Sequence, residues 1–318
     1  MKNSEYEYVA YPKLNHVKIG FVEIRLRNPH IHRESEIGLV LKGSARMNIG
    51  AHSLTLGPGS LYYINGNEPH DIVSEGMEGV RIAFLQVSNH FCRDYLHLFR
   101  NLDVSWRDLS RHLEREDDLA LRGLLLDVFR ANTETGDLAQ FRLFTAICGL
   151  FSRLLEVVPF ELIDEAAYRA KKRRTARLQR ITEYVSAHYT EKLSLSSLAE
   201  AEGLSPTYLS HFIHDSLNMT FQEYVNDLRL EKALHLITGT DLRLTDVYLE
   251  CGFSDIKYLN QSFKKRFGCR PKEYRAAVSR DVVRDPASDE NQEFASESVG
   301  QGWLSEFIAE YDKKDPKS

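Results

Sequence analysis

The segment ECGFSDIKYLNQSFKKRFGCRPKEYR, residues 250–275, repeats a pattern that first occurs about 50 residues earlier in the chain. In each copy a triplet of glycine, an apolar residue and serine precedes a Tyr-Leu pair, and a Glu-Tyr pair closes the unit. The matching pieces are Gly203-Leu204-Ser205 with Gly252-Phe253-Ser254, Tyr208-Leu209 with Tyr258-Leu259, and Glu223-Tyr224 with Glu273-Tyr274. Because glycine adopts the positive φ of a tight turn most readily, each copy predicts helix, turn, helix.

The second helix of each copy is predicted to bury one face and to expose the other. In the first copy Ser205 suits the N-cap and Pro206 suits the first helical position. Helical periodicity then directs a set of apolar side chains inward. This set comprises Leu209, Phe212 and Ile213 in the first copy and Tyr258, Leu259 and Phe263 in the second. A polar helix face presented beyond a glycine turn suits the major groove of DNA.

A further helix is predicted between the two copies, in TFQEYVNDLRLEKALHLITGT at residues 220–240, and it ends at Gly239. It would hold the two recognition helices about 34 Å apart, so that they enter successive major grooves. The alternative is a helical bundle without a nucleic-acid role. The duplicated turn glycines, the outward polar faces and the basic KKRF at residues 264–267 oppose it. Residues 171–278 carry a net charge of +4, which also favours a polyanionic partner.

Residues 193–275 closely resemble the DNA-binding domain of AraC/XylS-type transcription regulators, through the glycine, aromatic and basic positions quoted above. The resemblance implies double-stranded DNA with promoter half-sites as a partner, RNA polymerase as another, and activation as the commoner mode. Base and phosphate contacts are then expected from Thr207, Ser210, His211, Ile256, Lys257, Asn260 and Gln261, and phosphate contacts from Lys264, Lys265 and Arg266.

Residues 16–90 are predicted to form β-strands, because short runs rich in Val, Ile and aromatic residues alternate with glycine, proline and asparagine turns. Many short strands at close spacing indicate a small barrel or a double-sheet jelly roll. From about residue 113 the apolar spacing changes to three and four, which predicts two helices over about 113–157. We expect this helical pair to pack on the barrel or to form a homodimer.

Two histidine-containing segments of the β region resemble cupin motifs. PHIHRESEIGLVLKG, residues 29–43, supplies His30, His32 and Glu36, and NGNEPH ends in His70. In metallocupins these positions hold Fe(II), Mn, Ni or Zn, and residues 30 and 32 share one face of a strand. The same side chains, with Lys42, could instead line a pocket for a small polar effector such as a carbohydrate. The order of preference is pocket wall, then metal ligands, then structural polar residues.

The predicted fold class is α+β and multidomain. A cupin-like sensing domain with its helical pair occupies residues 1–165, a basic linker 166–180, and the double helix-turn-helix domain 181–278. The acidic tail, 279–318, is expected to be disordered, with one short amphipathic helix in GWLSEFIAEY at residues 302–311. We expect a cytoplasmic, ligand-responsive regulator, without catalytic residues, a metal or another cofactor. The alternatives are a metal-dependent cupin enzyme fused to a DNA-binding domain, and a constitutive DNA-binding protein with a barrel that binds nothing.

Overall fold

The computed structural model describes residues 12–50, 52–75, 79–91, 102–277 and 292–314. Its N-terminal part is a double-sheet jelly roll, as predicted, in which the paired strands are antiparallel. The first eight strands are β1 Val17–Ile24, β2 Leu26–His30, β3 Ser35–Lys42, β4 Ala45–Ile49, β5 His52–Leu56, β6 Leu61–Ile64, β7 His70–Ser74 and β8 Val80–Val87. One sheet contains β1, β8, β3 and β6, and the other has the order β2-β7-β4-β5.

The interior of the jelly roll is apolar at one end and polar at the other. Strand alternation sends every second side chain between the sheets. Val40, Ile49 and Ile82 are among the residues that meet there, and they are almost fully buried. The buried polar side chains of the barrel gather where β2, β3 and β7 come together. Where the two sheets close, a small polar site therefore lies next to an apolar core.

The predicted helical pair consists of α2, Arg115–Thr133, and α3, Ala139–Val157, which follow the short α1, Leu109–His112. Both helices pack on the outer face of the larger sheet, and the short strands β9, Leu102–Val104, and β10, Phe160–Leu162, pair beside them. Leu138, Phe141 and Phe144 stay exposed at the start of α3; Phe141 is 69% exposed. The homodimer remains a prediction, and this apolar patch is its candidate contact surface.

The basic run is part of a helix and does not form a separate linker. Residues 166–180 lie within α4, Glu165–His188, which continues into the C-terminal domain and buries Leu178, Ile181 and Val185 there. Asp164 caps this helix by accepting a hydrogen bond from the Ala167 amide. The later helices are α5 Leu195–Ala201, α6 Pro206–Leu217, α7 Phe221–Gly239, α8 Leu244–Glu250, α9 Ile256–Phe267 and α10 Pro271–Ala277. Charge composition alone does not reveal the buried stripe that makes α4 part of the domain.

The prediction of disorder over 279–318 is wrong for residues 292–314, whereas the rest of that segment lies outside the described residues. Strand β11, Gln292–Phe294, pairs with the free edge of β1, and α11, Glu297–Lys314, packs across the same sheet. Leu304 and Phe307 are buried in the core shared with α2 and α3. The short amphipathic helix expected over residues 302–311 is part of this longer helix, whose apolar side chains pack on the barrel. None of the helices within the described residues is both long and apolar enough to cross a lipid bilayer.

Two glycines of α11 provide a matched test of this packing. A Cβ at Gly300 would overlap the ring of buried Phe21, whereas a Cβ at Gly302 meets nothing within 4 Å. We expect Gly300→Ala to lower the free energy of unfolding by about 1–3 kcal/mol through overpacking. Gly302→Ala is expected to raise it by up to about 1 kcal/mol, because alanine is the better helix former. Urea unfolding measures both, and equal effects would contradict the docked position of α11.

Candidate functional site

The two helix-turn-helix units are built from local capping signals. Ser194 caps α5 in a reciprocal capping box, and Ser205 caps α6, with Pro206 at its first position, as predicted. Asp255 caps α9 through the Lys257 amide. The turn glycines Gly203 and Gly252 both have positive φ, +65° and +78°. The repeat in sequence is thus a repeat in structure.

Most of the predicted DNA-contacting side chains lie on the outer faces of α6 and α9. Thr207, Ser210 and His211 are exposed on α6. On α9, Lys257, Gln261, Lys264 and Lys265 are exposed, whereas Ile256, Asn260 and Arg266 are half-buried. Arg266 lies 3.5 Å from Asp227 of α7, so its guanidinium is already partly neutralised within the domain. These residues form two polar surfaces, one on each unit.

The predicted inward position of Tyr258 is wrong, because its side chain is 54% exposed on α9. Its counterpart in the first unit, Tyr208, is 44% exposed and accepts a hydrogen bond of 2.6 Å from Arg177. Leu259 and Phe263 fill the core that Tyr258 was predicted to share. The sequence analysis used the duplicated tyrosine as evidence of the repeat but did not infer from it that both rings are exposed.

A polar cleft of about 460 Å³ lies between α7 and α9, beside the second recognition face. Gln222 and Asn226 line it from α7, and Gln261 and Lys265 line it from α9. Arg229 at its side donates hydrogen bonds to the carbonyls of Tyr189 and Glu191. The cleft extends the amide- and ammonium-bearing surface from α9 onto the connecting helix.

Inside the jelly roll, three histidines converge. His30 on β2 and His70 on β7 face each other across paired strands, and their ring centroids are 4.1 Å apart. His32 follows β2 and lies 4.9 Å from His70 by the same measure. One ring nitrogen from each of the three lies within 4.8 Å of the others. All three side chains are buried.

Each of these imidazoles is oriented by a backbone carbonyl. The Nδ1 atoms of His30, His32 and His70 lie 2.9–3.0 Å from the carbonyl oxygens of Asn28, Glu34 and Glu68. A carbonyl oxygen only accepts, so each Nδ1 carries the proton. The Nε2 atoms would then be the metal-binding nitrogens, and a hydrogen bond that fixes the tautomer in this way is characteristic of histidine ligands. This donor set fits a divalent transition-metal ion.

Glu36 on β3 borders the histidine cluster and is held in place on both carboxylate oxygens. Tyr62 donates to Oε1 and Gln86 donates to Oε2, each at 2.8 Å, and His32 Nε2 lies 3.3 Å from Oε2. Burial disfavours the charged form, but the hydrogen bond and charge of His32, with the charge of His70, hold the pKa of Glu36 at about 2. Glu36 is therefore an anion directly beside the histidine nitrogens.

Burial, reinforced by the charges of His70, Arg27 and His32, lowers the pKa of His30 well below its usual range. His30 is consequently neutral at pH 7 and able to donate its lone pair to a metal. Arg27, Tyr62 and Gln86 belong to this site although the sequence analysis did not single them out. Gln86 lies beside Glu36 because the two residues pair between β3 and β8. The sequence alone does not give this register.

Lys42 does not belong to the site. It lies at the opposite end of β3 from Glu36, six residues and about 20 Å along the strand, and its side chain is exposed. The cavity beside His30, Glu36 and His70 measures about 30 Å³. That volume is the share of one water molecule in the liquid. The site in this conformation has room for an ion and not for a sugar ring.

Comparison with known protein families gives a match in each of the two domains of the chain. Residues 198–277 match the model of a helix-turn-helix domain, and residues 24–86 match that of a cupin domain. The chain therefore combines an AraC-type helix-turn-helix domain with a cupin domain. An uncharacterized HTH-type transcriptional regulator of Escherichia coli, YijO, is 35% identical over 118 residues, which are 37% of this chain and 42% of that protein.

Two further likenesses extend over more of the chain. The Msm operon regulatory protein of Streptococcus mutans is 21% identical over 250 residues, 79% of this chain and 87% of that protein. ToxT of Vibrio cholerae, solved with an unsaturated fatty acid, is 16% identical with a TM-score of 0.40 and covers 87% of this chain and 100% of its own. The chain spans less than half the length of several curated relatives that it matches.

Proposed function

We propose that this protein is a sequence-specific DNA-binding transcription regulator whose cupin domain binds a regulatory ligand. The observation that carries the proposal is the pair of capped recognition helices, α6 and α9, with polar and basic outer faces. α7 connects and spaces them, so that both can enter successive major grooves on one side of a duplex. In this proposal Gln261 and Asn260 read adenine, Lys257 reads guanine, and Lys264 and Lys265 contact phosphates.

Selection from a random pool of DNA duplexes tests this function. We expect the full chain to enrich two short motifs centred about 10–11 base pairs apart. Gln261→Ala is expected to weaken binding to the selected duplex by about 1–3 kcal/mol and to relax the choice of one base pair. Lys265→Ala should weaken binding to all duplexes and lower the salt dependence by about one ion. Gln140→Ala, an exposed glutamine on α3, is the control. A chain that enriches no motif would contradict the proposal.

For the ligand of the cupin domain, the three-histidine site favours a divalent transition-metal ion. When bound, such an ion supplies a fixed centre of positive charge that holds three imidazoles together. The chain's own residues orient those imidazoles through backbone carbonyls and place the Glu36 anion beside them. The carbohydrate effector predicted from the sequence stays a prediction. Its binding requires the barrel to open, because small-molecule pockets usually measure several hundred Å³.

The rival class is a metal-dependent cupin enzyme joined to a DNA-binding domain. Enzymes of this kind keep an open coordination position that a substrate can reach. The small cavity beside His30 and His70 leaves no space for a substrate in this conformation, which supports binding over turnover. Oxygen consumption or product formation in the presence of Fe(II), abolished by His32→Ala, would favour the enzyme.

The remaining parts of the proposal concern assembly and output. Homodimers would form through the exposed patch at Leu138, Phe141 and Phe144, and would present two DNA-binding domains to promoter half-sites. Contact with RNA polymerase and activation are carried over from the AraC-type family. A protein that acts on promoters works in the cytoplasm, and we propose that location.

A further inference from the structure

The strands that carry two of the histidines also form the contact between the barrel and the DNA-binding domain. Along β2 and the residues after it, side chains lie on the two sides of the sheet in turn, with one register shift between Arg27 and His30. Arg27, His30 and His32 point into the barrel, whereas Leu26, Asn28 and Ile31 point out. On β7, His70 and Ile72 point in, and Asp71 and Val73 point out.

The outward side chains enter the cores of both helix-turn-helix units. Ile31, between His30 and His32, is 3% exposed and belongs to the hydrophobic core of the first unit, with Leu198 and Ile213. Leu26 and Val73 belong to the core of the second unit, with residues of α7, α8 and α9. A side chain of the barrel thus completes each DNA-binding unit.

Polar side chains of β2 and β7 also contact the DNA-binding domain, and we call this contact between the two domains the seam. Asn28 donates a hydrogen bond to Glu231 at the middle of α7. Asp71, next to His70, is buried by the neighbouring domain; burial raises the pKa of its carboxyl to about 6, while hydrogen bonds from Asn48 and the charge of Arg266 oppose that rise. Arg266 is one of the residues predicted to contact DNA phosphates. It therefore lies between the acidic groups of the seam and the DNA-facing surface.

We propose that the outward side chains of β2 and β7, Ile31 above all, couple occupancy of the three-histidine site to the relative position of the two helix-turn-helix units. The inference rests on the proposed function and deepens it by naming the route of regulation. A metal drawn to the Nε2 atoms of His30 and His32 fixes the backbone on both sides of Ile31. Because Ile31 is packed in the first unit and Leu26 in the second, a shift along this strand changes the angle between their recognition helices.

Hydrogen exchange of the full chain, with and without Zn²⁺, tests the coupling without DNA. In the wild type we expect Zn²⁺ to slow exchange in the barrel and also in α5 to α9. Ile31→Ala should bind Zn²⁺ with wild-type affinity by titration calorimetry but lose the Zn²⁺-dependent change in α5 to α9. Ile31→Val, a smaller truncation, should lose it in part and guards against a variant that fails to fold.

Ile37→Ala is the matched control. Ile37 is also an isoleucine next to a site residue, Glu36, and is 1% exposed, but it packs on the helical layer and not on the DNA-binding domain. It should keep the Zn²⁺-dependent change in α5 to α9. Zn²⁺ bound to the wild type without such a change, no Zn²⁺ binding at all, or an unchanged response in Ile31→Ala would each overturn the coupling. Failure of the proposed function would show separately, as intact coupling in a chain that enriches no DNA motif.

Discussion

Replacing His70 by alanine is expected to lower the affinity of the protein for Zn²⁺ by at least about 100-fold, more than the loss of a group that only hydrogen-bonds to a metal ligand usually costs. His70 lies centrally in the cluster, with its ring next to both His30 and His32. Without it only two imidazoles remain, and two neutral nitrogens hold a divalent ion far less tightly than three. Titration calorimetry on chelator-treated protein measures the change.

Two further variants make the measurement specific. His52→Ala removes an exposed imidazole at the start of β5 and should leave the Zn²⁺ affinity unchanged. Glu36→Gln keeps the shape of the side chain and removes its charge. We expect the Zn²⁺ affinity to fall by about 10–100-fold, as it does when a group that contacts a metal ligand is changed. Equal Zn²⁺ affinities of the wild type and His70→Ala would mean that Zn²⁺ binds elsewhere. The three histidines would then be interpreted as residues that line an effector pocket.

The pH dependence of this binding follows from the imidazoles. Burial already keeps the pKa of His30 below its usual range, so this ring stays neutral as the pH falls from 8 towards 6.5. A metal bound at Nε2 uses the same lone pair that a proton would take on each imidazole, so protons and the metal compete for the site. We therefore expect the Zn²⁺ affinity to rise with pH, and titrations at several pH values measure the slope.

The helix-turn-helix units were predictable because their signals are local. Serine caps, a proline at the first helical position and glycines at positive φ act within one or two turns of helix, so a single sequence contains them. The error at Tyr258 has a physical cause. Tyrosine has an apolar ring and a polar hydroxyl, and helical periodicity alone does not decide which of them faces the core.

The histidine site was predictable only in part. The strand period places His30 and His32 on one face, but the partnership with His70 depends on the pairing of β2 with β7 across a bulge. Lys42 was wrongly included because closeness within a motif does not show that six residues of extended strand separate it from Glu36 by about 20 Å. The role of Ile31 and the docked helix α11 depend on contacts between distant segments, which composition and periodicity do not encode.

Replacing Gly252 by alanine is expected to destabilise the DNA-binding domain by about 3 kcal/mol or more and to abolish DNA binding. The residue has φ of +78°, which costs an L-amino acid with a Cβ about 1–2 kcal/mol. In addition, a Cβ there would overlap the backbone of Thr190, which follows α4. Backbone atoms cannot swing aside as a side chain can, so the overlap adds a further 1–3 kcal/mol or so. The turn would have to move, and α9 with it.

Gly203 is the matched control from the other copy of the repeat. Its φ of +65° is similar, but a Cβ there would meet nothing within 4 Å. Gly203→Ala should therefore lower the free energy of unfolding by only the cost of positive φ, about 1–2 kcal/mol, and should still bind DNA. Urea unfolding followed by circular dichroism, with binding to a selected duplex, separates the two variants. If the two variants lost the same free energy of unfolding, positive φ alone would account for the cost at both turns. The close contact between Gly252 and the Thr190 backbone would then be wrong.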